Sequence, residues 1–219
     1  WTDGEGIVHP PSEFIPVAAE CGLLAKITAF VLRRVLALQQ ALLADQVVPV
    51  PIAINVAPVE FQSEHFVKTL IQCVHEYQVP QNLIEIEITE DSLLNRDEVT
   101  MRNIDELRQL GIEISLDDFG VGYSSLNYLR YYPIKKIKID RSFVATMLED
   151  DSSKQLIQLM VNIGRTFKMQ VLAEGVESET QAKALYDMGC QRAQGFWYAR
   201  PEKATEFIQR LSSAAIVSH

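Results

Sequence analysis

The chain has 219 residues, about the length of one domain and close to the lower limit for a closed α/β barrel. Its 47% of hydrophobic and 22% of charged residues exclude an intrinsically disordered chain. Twenty Lys and Arg against 29 Asp and Glu give a net charge of −9, which excludes a DNA or RNA polymer as a non-specific partner and suits bound divalent cations.

The hydrophobic pattern predicts six strands that alternate with helices. Residues 1–16 are rich in Pro and Gly and are predicted to form a loop. The predicted strands lie at 51–56, 83–89, 112–117, 135–140, 169–174 and 192–196. The predicted helices lie at 23–45, 63–77, 97–110, 124–131, 153–167, 178–188 and 203–211. This alternation is typical of a parallel sheet with helical crossovers.

The predicted strands carry polar residues on one face only. The strand at 83–89 places its isoleucines on one face and Glu85 and Glu87 on the other. The strand at 112–117 does the same with Glu113, Ser115 and Asp117. Because an open parallel sheet covered on both sides is apolar on both faces, this pattern favours a closed α/β barrel with inward-facing carboxylates.

Polar residues also mark the carboxyl ends of the predicted strands. They are Asn55, Glu87, Asp117, Lys138 and Glu174, with Gln194 in the sixth strand. In an α/β barrel these ends form the rim where active sites are built. A single such residue is more simply a solvated strand end or part of a structural ion pair, but five on successive strands indicate a site. Lys135 and Lys136, on the strand of Lys138, are interpreted as surface charges.

The rim residues indicate a chemistry. Four of them offer only oxygen ligands: Asn55, Glu87, Asp117 and Asp118. Such a set favours Mg²⁺ or Mn²⁺, and two ions would support an in-line phosphoryl displacement by water. Lys138 would supply a cation for the water or the phosphate, and Glu174 would accept a proton or orient the ligands. The residues predict a metal-assisted hydrolase or lyase and leave the substrate open.

Seven short motifs follow one another along the chain. They are PPSEFIP at 10–16, NVAP at 55–58, EITE at 87–90, DDFGVGYSSL at 117–126, KIDRSF at 138–143, AEGVE at 173–177 and QG at 194–195. Together they resemble the EAL-domain family of cyclic di-GMP phosphodiesterases, with Val121 in place of a family Thr. The Asp-Phe-Gly at 118–120 is not a kinase signature here, since the chain has no glycine-rich phosphate loop and no His-Arg-Asp.

The resemblance implies a modified TIM-type (β/α)8 barrel that binds cyclic di-GMP at its rim. With two Mg²⁺ or Mn²⁺ ions, such a protein cleaves one phosphodiester and releases linear pGpG. The family's Glu-Ala-Leu, whose Glu is a metal ligand, would lie just before Trp1. We therefore expect residues 1–219 to be an N-terminally truncated EAL-type domain, whose parent protein supplies the first strand and, upstream, sensor or GGDEF-type domains.

The resemblance also implies the role of each site residue. It implies metal ligation by Asn55, Glu87, Asp117 and Asp118, positioning of the water by Lys138, and a role for Glu174 as base or ligand partner. Gln194 would contact the substrate or the water. Glu90 would hold the loop at 117–125, which in the family often lies at a homodimer interface. Glu177 would support the same ligands.

Two other functions stay open. A non-catalytic cyclic di-GMP receptor would bind the nucleotide and signal through a protein partner. An unrelated metal-dependent barrel enzyme would act on a small acid.

The cysteines and the longest apolar stretch indicate where the chain resides. Cys21, Cys73 and Cys190 are far apart and odd in number, which argues against disulfides and for a reducing compartment. The apolar stretch at 23–43 contains three basic residues and two glutamines, so it lacks the ~20 unbroken apolar residues of a membrane span. We expect a cytoplasmic location, either free or as the cytoplasmic domain of a membrane-anchored parent.

Overall fold

The computed structural model describes residues 1–45, 47–93, 97–121 and 129–217, with side chains up to residue 212. The strands are β1 (Ile52–Asn55), β2 (Ile84–Thr89), β3 (Glu113–Phe119), β4 (Lys136–Ile139), β5 (Gln170–Ala173) and β6 (Arg192–Ala193). The helices are α1 (Pro11–Glu20), α2 (Leu24–Ala44), α3 (Pro58–Phe61), α4 (Phe66–Tyr77), α5 (Glu98–Leu110), α6 (Arg141–Thr146), α7 (Asp151–Phe167), α8 (Glu179–Asp187) and α9 (Ala204–Val217).

The strands form a single parallel sheet in the order β1-β2-β3-β4-β5-β6. The sheet curls into a half-barrel with helices outside it, which is consistent with the modified TIM-type barrel that the family resemblance implies. Register brings the strand ends together, since Asn55 lies opposite Glu87 and Thr89 lies opposite Asp117. The carboxyl ends of the strands therefore share one rim.

Both faces of β2 are buried, and they differ in chemistry. On the outer face of β2, Ile84, Ile86 and Ile88 are at most 1% exposed and belong to the main hydrophobic core. Each such side chain contributes about 1.5–3 kcal/mol to folding through burial. On the inner face, Glu85 and Glu87 are only 6% and 8% exposed. The carboxylates face the interior of the half-barrel, as the alternation predicts.

Helix boundaries follow the predicted signals where the capping residue is present. Asp97 accepts a hydrogen bond from the Thr100 backbone at the start of α5, and Gly111 ends that helix with a φ of 77°. Ser178 and Gln181 form a reciprocal capping box at the start of α8. These helices confirm the predictions for 97–110 and 178–188 within a residue or two.

Several local predictions are wrong. Residues 1–16 are not all loop, because α1 begins at Pro11, where a proline without an N–H group costs no hydrogen bond. Ser63 does not cap α4; it accepts a hydrogen bond from the His65 backbone, and the helix begins at Phe66. The short helices α3 and α6 were not predicted. The helix predicted at 124–131 falls largely on residues 122–128, which lie outside the described part of the chain.

By length and composition alone, helix α2 is long and apolar enough to cross a membrane, although its basic residues argued against a membrane span. One face of the helix packs against the domain, and the other, which includes Phe30, is exposed. Leu32, Leu36 and Leu42 are fully buried, and Gln39 donates a hydrogen bond of 2.9 Å to the Leu83 carbonyl at the edge of the sheet. The apolar stripe of α2 therefore faces the half-barrel.

Candidate metal centre

The centre of the site is a buried ammonium group. Lys138 lies on β4, and its side chain is 4% exposed. Its Nζ atom is 2.8 Å from Glu87 Oε2, 2.9 Å from Asp117 Oδ1 and 2.7 Å from Glu174 Oε1. Glu87 comes from β2, Asp117 from β3, and Glu174 directly follows β5. Four predicted rim residues on four strands thus meet inside the half-barrel, and we call them the Lys138 cluster.

The Lys138 cluster carries more negative than positive charge. Burial by itself lowers the pKa of Lys138, but the facing carboxylates, Glu87 foremost, outweigh it and raise that pKa well above its ordinary value. Burial raises the pKa of Glu87 and of Glu174, and their neighbouring carboxylates raise both further, although Lys138 opposes the shift. One ammonium does not neutralise three carboxylates, so the site favours an additional cation.

Asp118 adds a fourth carboxylate at the mouth of the site. Its backbone has a φ of 52°, an uncommon left-handed conformation for a residue other than Gly. Burial, Asp117 and Asp140 raise the pKa of Asp118. Oxygen atoms of Asp117, Asp118 and Glu174 lie within 4.8 Å of one another, which fits a divalent cation. Because all these ligands are carboxylate oxygens, the set suits Mg²⁺ or Mn²⁺ rather than Zn²⁺.

Gln194 contacts the Lys138 cluster from the position directly after β6, which ends at Ala193 and not at 196 as predicted. Its Nε2 atom donates a hydrogen bond of 2.6 Å to Glu174 Oε1. The backbone on either side is fixed, since Val176 N donates to Gln194 O at 3.0 Å. A Cβ atom on Gly195 would lie 2.2 Å from the Val176 carbonyl oxygen, so only glycine permits this approach. Gln194 therefore orients Glu174 from a rigid position.

Glu90 supports the loop that follows β3. It is 6% exposed, and its Oε1 atom accepts a hydrogen bond of 2.9 Å from the Gly120 backbone. A Cβ atom on Gly120 would meet Met160 at 2.2 Å, and the φ there is 93°. Glu90 thus fixes the segment directly after Asp118. Residues 122–125 of the predicted loop lie outside the described residues.

Two predicted residues do not reach the Lys138 cluster. Asn55 ends β1 opposite Glu87 but is exposed. Glu177 is exposed as well, and its backbone N–H donates to Gln181 at the start of α8. Among the described residues, neither side chain forms a hydrogen bond or ion pair with the cluster. Both lie near the rim, with Asn55 on its open side.

Sequence reasoning missed a second buried ion pair. Lys136 Nζ is 2.7 Å from Glu85 Oε1 and 2.6 Å from Oε2, and the two side chains are 14% and 8% exposed. The interpretation of Lys136 as a surface charge is therefore wrong, whereas Lys135 is exposed as expected. The alternation of side chains along a strand could have indicated this pair, because it places Lys136 on the same face of β4 as Lys138.

The fold and the site define a class: a TIM-type α/β domain with a cluster of acidic residues at the carboxyl ends of its strands. The family model described as "EAL domain" matches residues 1–201. The chain therefore belongs to the EAL-domain family.

Curated relatives and solved structures agree with this membership. The signaling protein YkoW of Bacillus subtilis is 36% identical over 94% of the chain, and the cyclic di-GMP phosphodiesterase PdeR of Escherichia coli is 33% identical over 94%. The match covers 26% of YkoW and 31% of PdeR, so the chain spans about a quarter to a third of these relatives.

A structure described as the PaMucR phosphodiesterase in complex with c-di-GMP has a TM-score of 0.90 and 29% identity, covering 94% of this chain and 84% of that one. The EAL domain of Mycobacterium smegmatis DcpA has a TM-score of 0.80 and 31% identity, covering 87% of this chain and 86% of that one.

Proposed function

We propose that the protein hydrolyses cyclic di-GMP to linear pGpG with the help of Mg²⁺ or Mn²⁺. The observation that carries this proposal is the Lys138 cluster, in which three carboxylates from three strands surround one ammonium at the rim. A site that holds divalent cations against a phosphodiester needs more carboxylates than its own ammonium groups neutralise. The family supports the substrate, since PdeR and MucR are named as cyclic di-GMP phosphodiesterases.

Four residues would hold the metal ions: Asn55, Glu87, Asp117 and Asp118. Bound ions would lower the pKa of a water molecule and neutralise charge on the phosphate. Asp117 and Asp118 are adjacent and offer oxygens to the same space, which suits two neighbouring ions. Asn55 would complete the ligand set from the open side of β1, where its side chain is exposed.

The remaining groups would handle the water and the proton. Lys138 would hold the attacking water and stabilise the charge that develops on the phosphate oxygens. Glu174, whose pKa is raised by burial, would take the proton of that water. Gln194 would orient the Glu174 carboxylate through its hydrogen bond. As the water oxygen bonds to phosphorus, the bond from phosphorus to the 3′ oxygen would break, and that oxygen would take a proton from solvent. The phosphoryl group stays on the 5′ oxygen, which gives pGpG.

The proposal is tested by product analysis on the parent protein. We expect cyclic di-GMP to be converted to pGpG with MnCl₂ and not with EDTA, as resolved by liquid chromatography. Glu87→Gln and Lys138→Met should lower turnover by at least about 100-fold. Glu113→Gln removes an exposed carboxylate from β3 and serves as the matched control. Tight binding of cyclic di-GMP without any pGpG in the presence of Mn²⁺ would refute hydrolysis and favour a receptor.

We further propose how this domain is used in its parent protein. A homodimer would place two such sites in one assembly, which light scattering of the purified protein would detect. Upstream sensor or GGDEF-type domains would control the site, since the chain spans only a fraction of its relatives' length. A reducing cytoplasmic location suits the three cysteines, all of which are free thiols.

A further inference from the structure

The interior of the half-barrel holds two groups of paired charges: the Lys138 cluster at the rim, and one ion pair below it. The lower pair, Glu85 and Lys136, lies on the same two strands as Glu87 and Lys138, two residues closer to the amino ends. Both oxygens of Glu85 contact the Lys136 ammonium, so this carboxylate is fully engaged by a single lysine.

A small residue lets the lysines reach across the sheet. Strand β3 lies between β2 and β4, so each lysine spans two inter-strand gaps of about 4.8 Å to meet its glutamate. Ser115 is opposite both Glu87 and Lys136 in register, and it is fully buried. Its short side chain leaves the space over β3 to the Lys136 stem. Either lysine therefore has the reach to find a carboxylate on β2.

We propose that Glu85 is a positioning residue that keeps the Lys136 ammonium away from Glu87. In register Lys136 lies level with Glu87 across Ser115, which puts Glu87 within reach of the Lys136 ammonium. Glu113, the carboxylate opposite Glu85 on β3, is exposed. A buried ammonium that loses its partner moves to the nearest acceptor, because an unpaired buried charge is costly. Glu85 thus keeps a second ammonium away from Glu87, which already contacts Lys138, so that Glu87 can bind a divalent cation. This inference rests on the proposed function, in which Glu87 is a metal ligand.

The proposal makes the two single variants behave differently. In Glu85→Gln, the released Lys136 should pair with Glu87 and compete with the metal, weakening Mn²⁺ binding at least tenfold. In Lys136→Met, Lys138 still contacts Glu87 but no second ammonium can reach it, so Mn²⁺ should bind at least as tightly as in the wild type. The double variant Glu85→Gln/Lys136→Met should bind within threefold of the wild type. Lys135→Met removes an exposed lysine next to Lys136 and should change nothing.

The measurement is the free Mn²⁺ signal in electron paramagnetic resonance as protein is added, with circular dichroism to verify folding. Equal losses of affinity in both single variants would show a purely structural ion pair and overturn the proposal. An unchanged Glu85→Gln variant would overturn it as well.

A crystal structure of Glu85→Gln gives a second answer that needs no metal. We expect Lys136 Nζ within hydrogen-bond distance of Glu87, and an ammonium that stays beside residue 85 would contradict the positioning role. If the wild type binds no Mn²⁺, the proposed function fails, while this structure still decides the position of Lys136.

Discussion

Replacing Lys138 by Met should destabilise the metal-free protein. The substitution keeps the aliphatic stem and removes the ammonium that Glu87, Asp117 and Glu174 contact at 2.7–2.9 Å. Breaking a buried ion pair by removing one partner costs about 3–5 kcal/mol. At about 2–4 °C per kcal/mol for a domain of this size, we expect the melting temperature in EDTA to fall by roughly 6–20 °C.

Divalent cations should reverse much of this loss. At about 100 times its Kd, a cation that binds only the folded state adds about 2.7 kcal/mol of stability. The gain should be larger in Lys138→Met than in the wild type, because the cation then also replaces the missing ammonium. Thermal unfolding in EDTA and in Mn²⁺ measures both effects, with Lys135→Met as the control. A variant as stable as the wild type in EDTA, or an equal Mn²⁺ gain in both proteins, would refute the reasoning.

Three further predictions concern single residues. Gly195→Ala should cost roughly 1–3 kcal/mol in urea unfolding, because its Cβ atom would lie 2.2 Å from the Val176 carbonyl oxygen; an unchanged midpoint would contradict the rigid position of Gln194. Asp118→Asn should weaken Mn²⁺ binding at least about tenfold in calorimetry with no loss of stability, and unchanged affinity would exclude Asp118 as a ligand. Asp97→Ala should cost about 1 kcal/mol at neutral pH, since it removes the cap of α5. The hydrogen bond from the Thr100 backbone lowers the pKa of Asp97, so its stabilisation is present above the unfolded pKa and is lost as the pH falls through the lower folded pKa. The stability difference from the variant should therefore shrink below about pH 4, and a difference that grows in acid would contradict this sign.

The sheet could be predicted because its strands carry a strong period of two. The alternation in β2 and β3 identified the outer apolar face and placed Glu87 and Asp117 at one rim. Short helices carried no comparable signal: α3 has only four residues and α6 only six, too few for a helical period to show. In α1, the prolines suggested a loop, yet Pro11 at the first position is compatible with a helix.

The contacts within the site could not be predicted from spacing. Alternation placed Lys138 and the carboxylates on inward faces, but the curl of the sheet decides which of them touch. Asn55 belongs to the same rim by sequence, yet it lies on the edge strand and is exposed. The pairing of Lys136 with Glu85 also depends on a long-range reach across β3 that no local pattern encodes.

Anomalous diffraction at the manganese edge tests the central proposal most directly, using crystals of the parent protein grown with Mn²⁺ and cyclic di-GMP. We predict peaks within coordination distance of Glu87, Asp117 and Asp118, beside a phosphate of the nucleotide. Bound nucleotide with no anomalous density among these carboxylates would contradict a metal-dependent site.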